Sequence, residues 1–325
     1  MTQPQPLTPA QIAAFADLSA KLSETISSVV LGKAEVVRLA LVSLFAQGHV
    51  LLEDVPGVGK TTLARAIAAS VHGQWRRIQF TPDLLPSDVT GVTIFNQASR
   101  GFEFHPGPIF ANIVIADEIN RASPKTQSAL LEAMEEHQVT VDGVTYELPP
   151  PFMVIATQNP VEHEGTYPLP ESQLDRFLMR IGMGYPARAA EIAILETHAK
   201  AAPPITRLSP VANADDVATM VALAHAVHVA PSLKGYIVDL AASSRRHPSL
   251  ALGVSPRAAL GLLRAARARA AAAGREYVVP DDIKVLAGPV LEHRLALTPE
   301  AQLRGATRPG VLREVLGSVA IPSVR

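Results

Sequence analysis

The feature that most constrains this chain is the apolar run Val50-Leu51-Leu52, which leads into Pro56-Gly57-Val58-Gly59-Lys60-Thr61-Thr62 and then a helical pattern from Leu63 to Ser70. An apolar run that enters Gly- and Pro-rich sequence reads as a buried parallel strand ending in a loop. Strand, glycine-rich loop and helix in that order make a phosphate cradle. Glycines let backbone N–H groups approach phosphate oxygens with no Cβ in the way, and the helix N-terminus adds partial positive charge. In such a loop Lys60 reaches the β- and γ-phosphates and the Thr61 hydroxyl ligates Mg2+. Asp54 stands where the motif usually has its first glycine. Asp tolerates left-handed backbone, so the turn remains feasible.

A second constellation is Asn112-Ile113-Val114-Ile115-Ala116-Asp117-Glu118, an apolar run that ends in two adjacent carboxylates. Its acids fall at the carboxyl end of a buried strand, the edge where open α/β sheets collect ligands. Asp117 is expected to hold Mg2+ and Glu118 to orient and deprotonate the attacking water. Asn159 follows a third apolar run, Phe152 to Ala156, where its amide can orient that water. Alone, Asn159-Pro160 is an ordinary turn signal. Arg176, in Leu174-Asp175-Arg176-Phe177, reads either as an arginine finger for γ-phosphate charge or as a local partner of Glu171. Arg257, in Ser255-Pro256-Arg257, opens a helix where its charge opposes the macrodipole; a guanidinium poised for phosphate explains that placement.

Further apolar runs at Trp75 to Phe80 and Phe177 to Ile181 read as strands, giving an α/β parallel sheet. Two hairpins interrupt it. One joins Val92–Phe95 to Gly101–Phe104, and the other joins Val139–Val141 to Val144–Glu147 across Asp142-Gly143. After Pro186 only helical patterns remain, so residues 1–186 read as a core that includes an N-terminal helix, and 187–325 as a helical domain. The Ala-rich stretch Ala265 to Ala273, with Arg264, Arg267, Arg269 and Arg275 on and beside it, reads as a solvated helix. There is no cysteine, which excludes disulfides and thiolate chemistry. A formal net charge of −1 advertises neither nucleic acid nor an anionic membrane surface. No signal peptide or membrane span is evident, so a cytoplasmic protein is expected.

Together these pieces resemble the AAA+ ATPases, and within them the MoxR family. The matching stretches are Val30-Leu31-Gly32-Lys33, Gly48 through Thr61, Asp117 through Ala122, Ala156 through Pro160, Glu164 through Glu171, Leu174 through Phe177, and Ser255 through Arg257. The resemblance implies an AAA+ core with a helical lid, ATP and Mg2+ as cofactors, and Val30, Leu31 and Gly32 beside the phosphate loop as nucleotide-binding residues. It casts Asn159 and Arg257 as the two sensors and Arg176 as a finger acting on a neighbour in a ring, usually a hexamer. It also implies protein clients, with a separate von Willebrand factor A domain protein as partner. In this resemblance the two hairpins correspond to the inserts of the helix-2-insert clade, which also holds magnesium chelatase motor subunits and replicative helicases. However, residues 132 to 151 carry five acids (Glu132, Glu135, Glu136, Asp142 and Glu147) and no Lys or Arg, which argues against DNA.

Overall fold

The computed structural model describes residues 7–159, 166–198 and 204–322. Pro160, Glu164 and Gly165 of the quoted motifs lie outside them. The central sheet has five parallel strands: β1 (Val50–Glu53), β2 (Trp75–Gln79), β3 (Ile113–Asp117), β4 (Met153–Gln158) and β5 (Met179–Ile181), in the order β5-β1-β4-β3-β2. Register sets Val50 opposite Ile155 and Met179, and Ile113 opposite Met153. Alternation then sorts the side chains by face. Val50, Leu52, Ile113, Ile115, Met153 and Ile155 enter one buried cluster, while Leu51, Val114, Ala116, Val154 and Ala156 enter the other. β1, β3 and β4 are buried almost throughout, as their unbroken apolar runs require. β2 corrects the expectation of a buried strand, because it is a sheet edge on which only Ile78 is buried.

Among the described residues, ten helices of eleven residues or more complete the fold. Those of the N-terminal half are α1 (Pro9–Ser27), α2 (Ala34–Phe45), α3 (Lys60–Ser70) and α4 (Pro124–Glu136). After β5 come α5 (Arg188–His198), α6 (Ala214–Ala226), α7 (Pro231–Arg245), α8 (Pro256–Ala272), α9 (Pro280–Leu291) and α10 (Arg308–Ser318). Thr8 and Gln11 close a capping box at the start of α1, and Ser255 caps α8 by accepting the Ala258 N–H. Among the described residues, the chain beyond β5 is mainly helical, with two short pairings, Ala212–Asn213 with Val71–His72 and Leu250–Leu252 with Ala296–Leu297, and a single bridge between His228 and Tyr277. Both hairpins form, as Gly91–Asn96 with Gly101–Pro106 and as Gln138–Val141 with Val144–Glu147. The second turns on Asp142 and Gly143, both at positive φ, the pairing that a two-residue hairpin favours.

α8 is not a solvated helix. Ala258, Leu262, Ala265, Ala266, Ala268, Ala270 and Ala271 are buried, and the helix packs on α1, α2, α6, α7 and α9. Alanine puts little bulk on each face, so several helices can approach at once. One buried cluster therefore runs from a sheet face through α1 and α2 into the C-terminal helices.

Candidate functional site

Three strand ends and one loop converge on a cavity of about 340 Å3 lined by Gly57, Gly59, Lys60, Thr61, Asp117, Glu118, Thr157 and Asn159, among others. Gly57 and Gly59 have φ of 82° and 94°, in the left-handed region. No neighbour crowds a Cβ at Gly57, and at Gly59 the nearest atom is Met183 Cε at 3.8 Å, so conformation and not space demands glycine there. Asp54 is not left-handed, so the turn does not draw on aspartate's tolerance of that backbone region. Its carboxylate instead accepts N–H groups from Val55 and Gly184, tying the loop to the chain after β5. Burial pushes its pKa up, but those backbone donors and the Lys60 charge outweigh it and hold it below the usual value. Lys60 donates to the backbone oxygens of Asp54 and Gln158.

Asp117 is buried at the end of β3. Its Oδ1 accepts from the Thr61 hydroxyl (3.2 Å) and the Thr157 hydroxyl (3.1 Å), and its Oδ2 accepts from Arg77 Nε (2.6 Å). Glu118 has φ 56°, a strained position for a residue with a Cβ, held by its N–H donating to Thr157 Oγ1 (2.9 Å). Its carboxylate accepts from Gln79 Nε2 (2.9 Å) and Arg121 Nη1 (3.0 Å). Asn159 is buried beside them, just past β4. Thr157, Arg77 and Gln79 were missed by sequence reasoning. Thr157 lay within a quoted stretch, but only β3–β4 pairing brings its hydroxyl to both acids; Arg77 and Gln79 carry no local signal.

The donor set fits Mg2+. A hydroxyl and one carboxylate meet beside a phosphate loop, which suits a metal that is shared with nucleotide phosphates and keeps several waters. Among the described residues no three or more His, Cys, Asp or Glu side chains group into a protein-only cage. Behind the loop, Val30, Leu31, Val58, Pro186 and Ile194 line a further cavity of about 170 Å3 that shares Gly57, Gly59 and Thr62 with the first. Gly32 (φ 71°) stands against α5, where a Cβ would come within 2.6 Å of Ala190 Cβ.

Arg176 and Arg257 do not line the phosphate cavity. They meet each other on Glu135, near the C-terminal end of α4: Arg176 Nε is 3.2 Å from Oε2 and Arg257 Nη1 2.9 Å from Oε1. Glu171, the alternative partner for Arg176, faces Arg308 instead. Buried Arg294 anchors the same segment, donating to the carbonyls of Asp175 (3.0 Å) and Phe177 (2.8 Å). Burial pushes Arg294 down to about 10, against the opposing charge of Asp175.

A phosphate loop on a 5-1-4-3-2 parallel sheet, with paired acids two strands away and helices after the last strand, defines an AAA+ ATPase. Residues 49–179 match the family described as "ATPase family associated with various cellular activities (AAA)", and residues 242–315 match the AAA lid domain. The chain is 53% identical to the uncharacterised protein YeaC of Bacillus subtilis, over 95% of this chain and 96% of that one. It is 42% identical to the chaperone MoxR1 of Mycobacterium tuberculosis, over 92% and 81%. The crystal structure of a candidate ATPase from Cytophaga hutchinsonii superposes with TM-score 0.89 at 37% identity, covering 97% of this chain and 98% of that one. The chain belongs to the MoxR family of AAA+ ATPases.

Proposed function

We propose that this chain is a chaperone-like remodelling ATPase whose working form is a ring, most simply a hexamer, with each nucleotide shared between two subunits. Residues 1–186 form the ATPase core and 187–325 the lid. The backbone from Pro56 to Thr62 and the Lys60 ammonium hold the phosphates, while Val30, Leu31 and Gly32 face the base. Thr61 and Asp117 hold Mg2+, which when bound neutralises charge on the phosphate oxygens. Glu118 takes the proton of the attacking water and Asn159 orients it. Arg176 and Arg257 stabilise charge on the neighbouring subunit's γ-phosphate.

One observation carries the shared-site reading. Both arginines converge on Glu135, and neither borders the cavity that Lys60 and Asp117 line. Two arginines assigned to phosphate chemistry but held together away from their own phosphate loop support a role toward a neighbour's nucleotide. Clients, including a separate von Willebrand factor A domain protein, would meet the acidic hairpin that turns at Asp142-Gly143. Its lack of positive charge supports a protein partner and not DNA. We place the machine in the cytoplasm, where ATP is supplied.

The test mixes inactive Arg176→Ala with inactive Lys60→Ala protein. Mixed interfaces pair an intact loop with an intact finger, so activity should partly return. Hybrid rings that stay dead, or dilute monomers that hydrolyse ATP at the full rate, would sink the shared site. Tight, salt-sensitive binding of DNA in an anisotropy assay would instead promote a nucleic-acid motor.

A further inference from the structure

Arg77 sits on Asp117 in addition to the groups assigned to metal, base and finger roles. Asp117 Oδ1 is already taken by two hydroxyls, those of Thr61 and Thr157, and neither can neutralise a buried carboxylate. The compensating charge comes from Arg77, whose Nε lies 2.6 Å from Oδ2. The two partners differ sharply in freedom: the Arg77 side chain is 50% exposed and Asp117 only 4%. Arg77 also borders the phosphate cavity from the edge strand β2, most of which faces solvent, so its guanidinium can swing without repacking a core.

We propose that Arg77 is a metal-competing cation built into the site: its guanidinium and Mg2+ alternate on Asp117, and when the metal–nucleotide complex takes the carboxylate Arg77 passes to the phosphates. Three physical points support this. The Thr61 hydroxyl and Asp117 are the donor pair assigned to the metal, so a dication bound there repels a guanidinium on the adjacent oxygen. A planar guanidinium that leaves a carboxylate finds an equivalent forked partner in a phosphate. Its second contact, Nη2 to Gln79 Oε1 at 3.0 Å, is a neutral hydrogen bond with no charge to hold it back. The competing view, that Arg77 only staples edge strand β2 to β3, predicts loss of stability and no change in metal dependence.

This inference rests on the metal-site reading given above, and one titration separates the two. MgCl2 is added to full-length protein in the presence of a fluorescent, non-hydrolysable ATP analogue, using wild type, Arg77→Gln and Arg77→Lys. The Mg2+ midpoint should fall about two- to five-fold in Arg77→Gln, because an exposed competitor of modest strength has been removed. At saturating Mg2+ the same variant should bind the analogue several-fold more weakly, having lost a phosphate contact. Arg77→Lys, a point charge without the fork, should fall between wild type and Arg77→Gln on both measures. A midpoint in Arg77→Gln at or above the wild-type value overturns the competition, and unchanged affinity at saturation overturns the transfer to phosphate. Wild type without any Mg2+ dependence overturns the Thr61–Asp117 assignment instead. If thermal melting shows Arg77→Gln unfolded, Arg77→Lys carries the same two readouts in the same directions.

Discussion

Asp282→Ala should cost this protein about 3 kcal/mol. The Asp282 carboxylate is fully buried and joins two helices, with Oδ1 2.6 Å from Arg269 Nη1 and 2.7 Å from Arg275 Nη2. Its Oδ2 accepts from Arg275 Nη1 (2.8 Å) and from the Val279 N–H at the start of α9 (2.9 Å). The Asp282 hydrogen bond in turn holds the Arg275 guanidinium above its ordinary pKa, against burial. Removing one partner of a buried pair costs about 3–5 kcal/mol, because the other charge is stranded. Here the arginine side chains are 33% and 24% exposed and can turn to water, which places the cost at the lower end. Unfolding entropy of about 2.1 cal/mol/K per residue gives about 0.7 kcal/mol/K for 325 residues melting as one unit, hence a Tm lower by about 4 °C. Asp282→Asn keeps an acceptor for Val279 and should lose about half as much. Far-UV circular dichroism melts measure both. Because the carboxylate is dry, about 0.5 M NaCl should leave the difference largely intact. A Tm drop under about 1 °C, or one abolished by salt, would mean that these arginines behave as surface pairs and that the buried network does not hold α8 to α9.

At the nucleotide site, Lys60→Ala should abolish binding in isothermal titration, whereas Glu118→Gln should retain ATP and lose phosphate release; full turnover in Glu118→Gln would refute its role as base. Arg176→Ala should bind ATP nearly as wild type yet turn over about 10³-fold or more slowly, and an undiminished rate would remove it from the chemistry. Glu135→Gln should lower stability by less than about 1 kcal/mol, since its pairs are partly exposed, and should leave turnover at or above wild type. A collapse of its turnover would make Glu135 a positioner of the arginines and not merely their partner. His49, buried with Nε2 2.9 Å from the Met134 carbonyl and Nδ1 accepting from the Val154 N–H, is pushed down by burial to about 4 from 6.5. The unfolded chain takes up that proton first. Stability should therefore be full above pH 6.5 and fall by about 3 kcal/mol as pH drops toward 4, and His49→Gln should flatten the slope of denaturant midpoints against pH.

The strands, loop and hairpin that the sequence marks most sharply were legible because each rests on a local rule. Val50-Leu51-Leu52 and Ile113 to Ala116 are too apolar for anything but buried strands, Gly57 and Gly59 supply φ values other residues avoid, and Asp142-Gly143 dictates a tight hairpin. Errors arose where a segment's neighbours decide. Trp75 to Phe80 looked like a buried strand, yet nothing in those residues says that β2 lies at the sheet edge. Ala265 to Ala273 looked solvated because its arginines are charged and alanine is only weakly apolar, whereas alanine's small volume is what lets α8 pack centrally. Asp54 was tolerated for a different reason, since its carboxylate binds Gly184, 130 positions away.

By itself, then, the sequence determined the class of fold, the phosphate loop and the two acids, because turn geometry, strand burial and helix capping act over a few residues. Only the tertiary structure decided which groups surround those acids and where the arginines go. Thr157 reaches Asp117 and Glu118 through strand pairing, Arg77 and Gln79 through the edge position of β2, and Arg176 and Arg257 meet on Glu135 from segments about 80 positions apart. Partners so distant along the chain leave no period or spacing to read; they are chosen by the packing of the buried faces that bring them together.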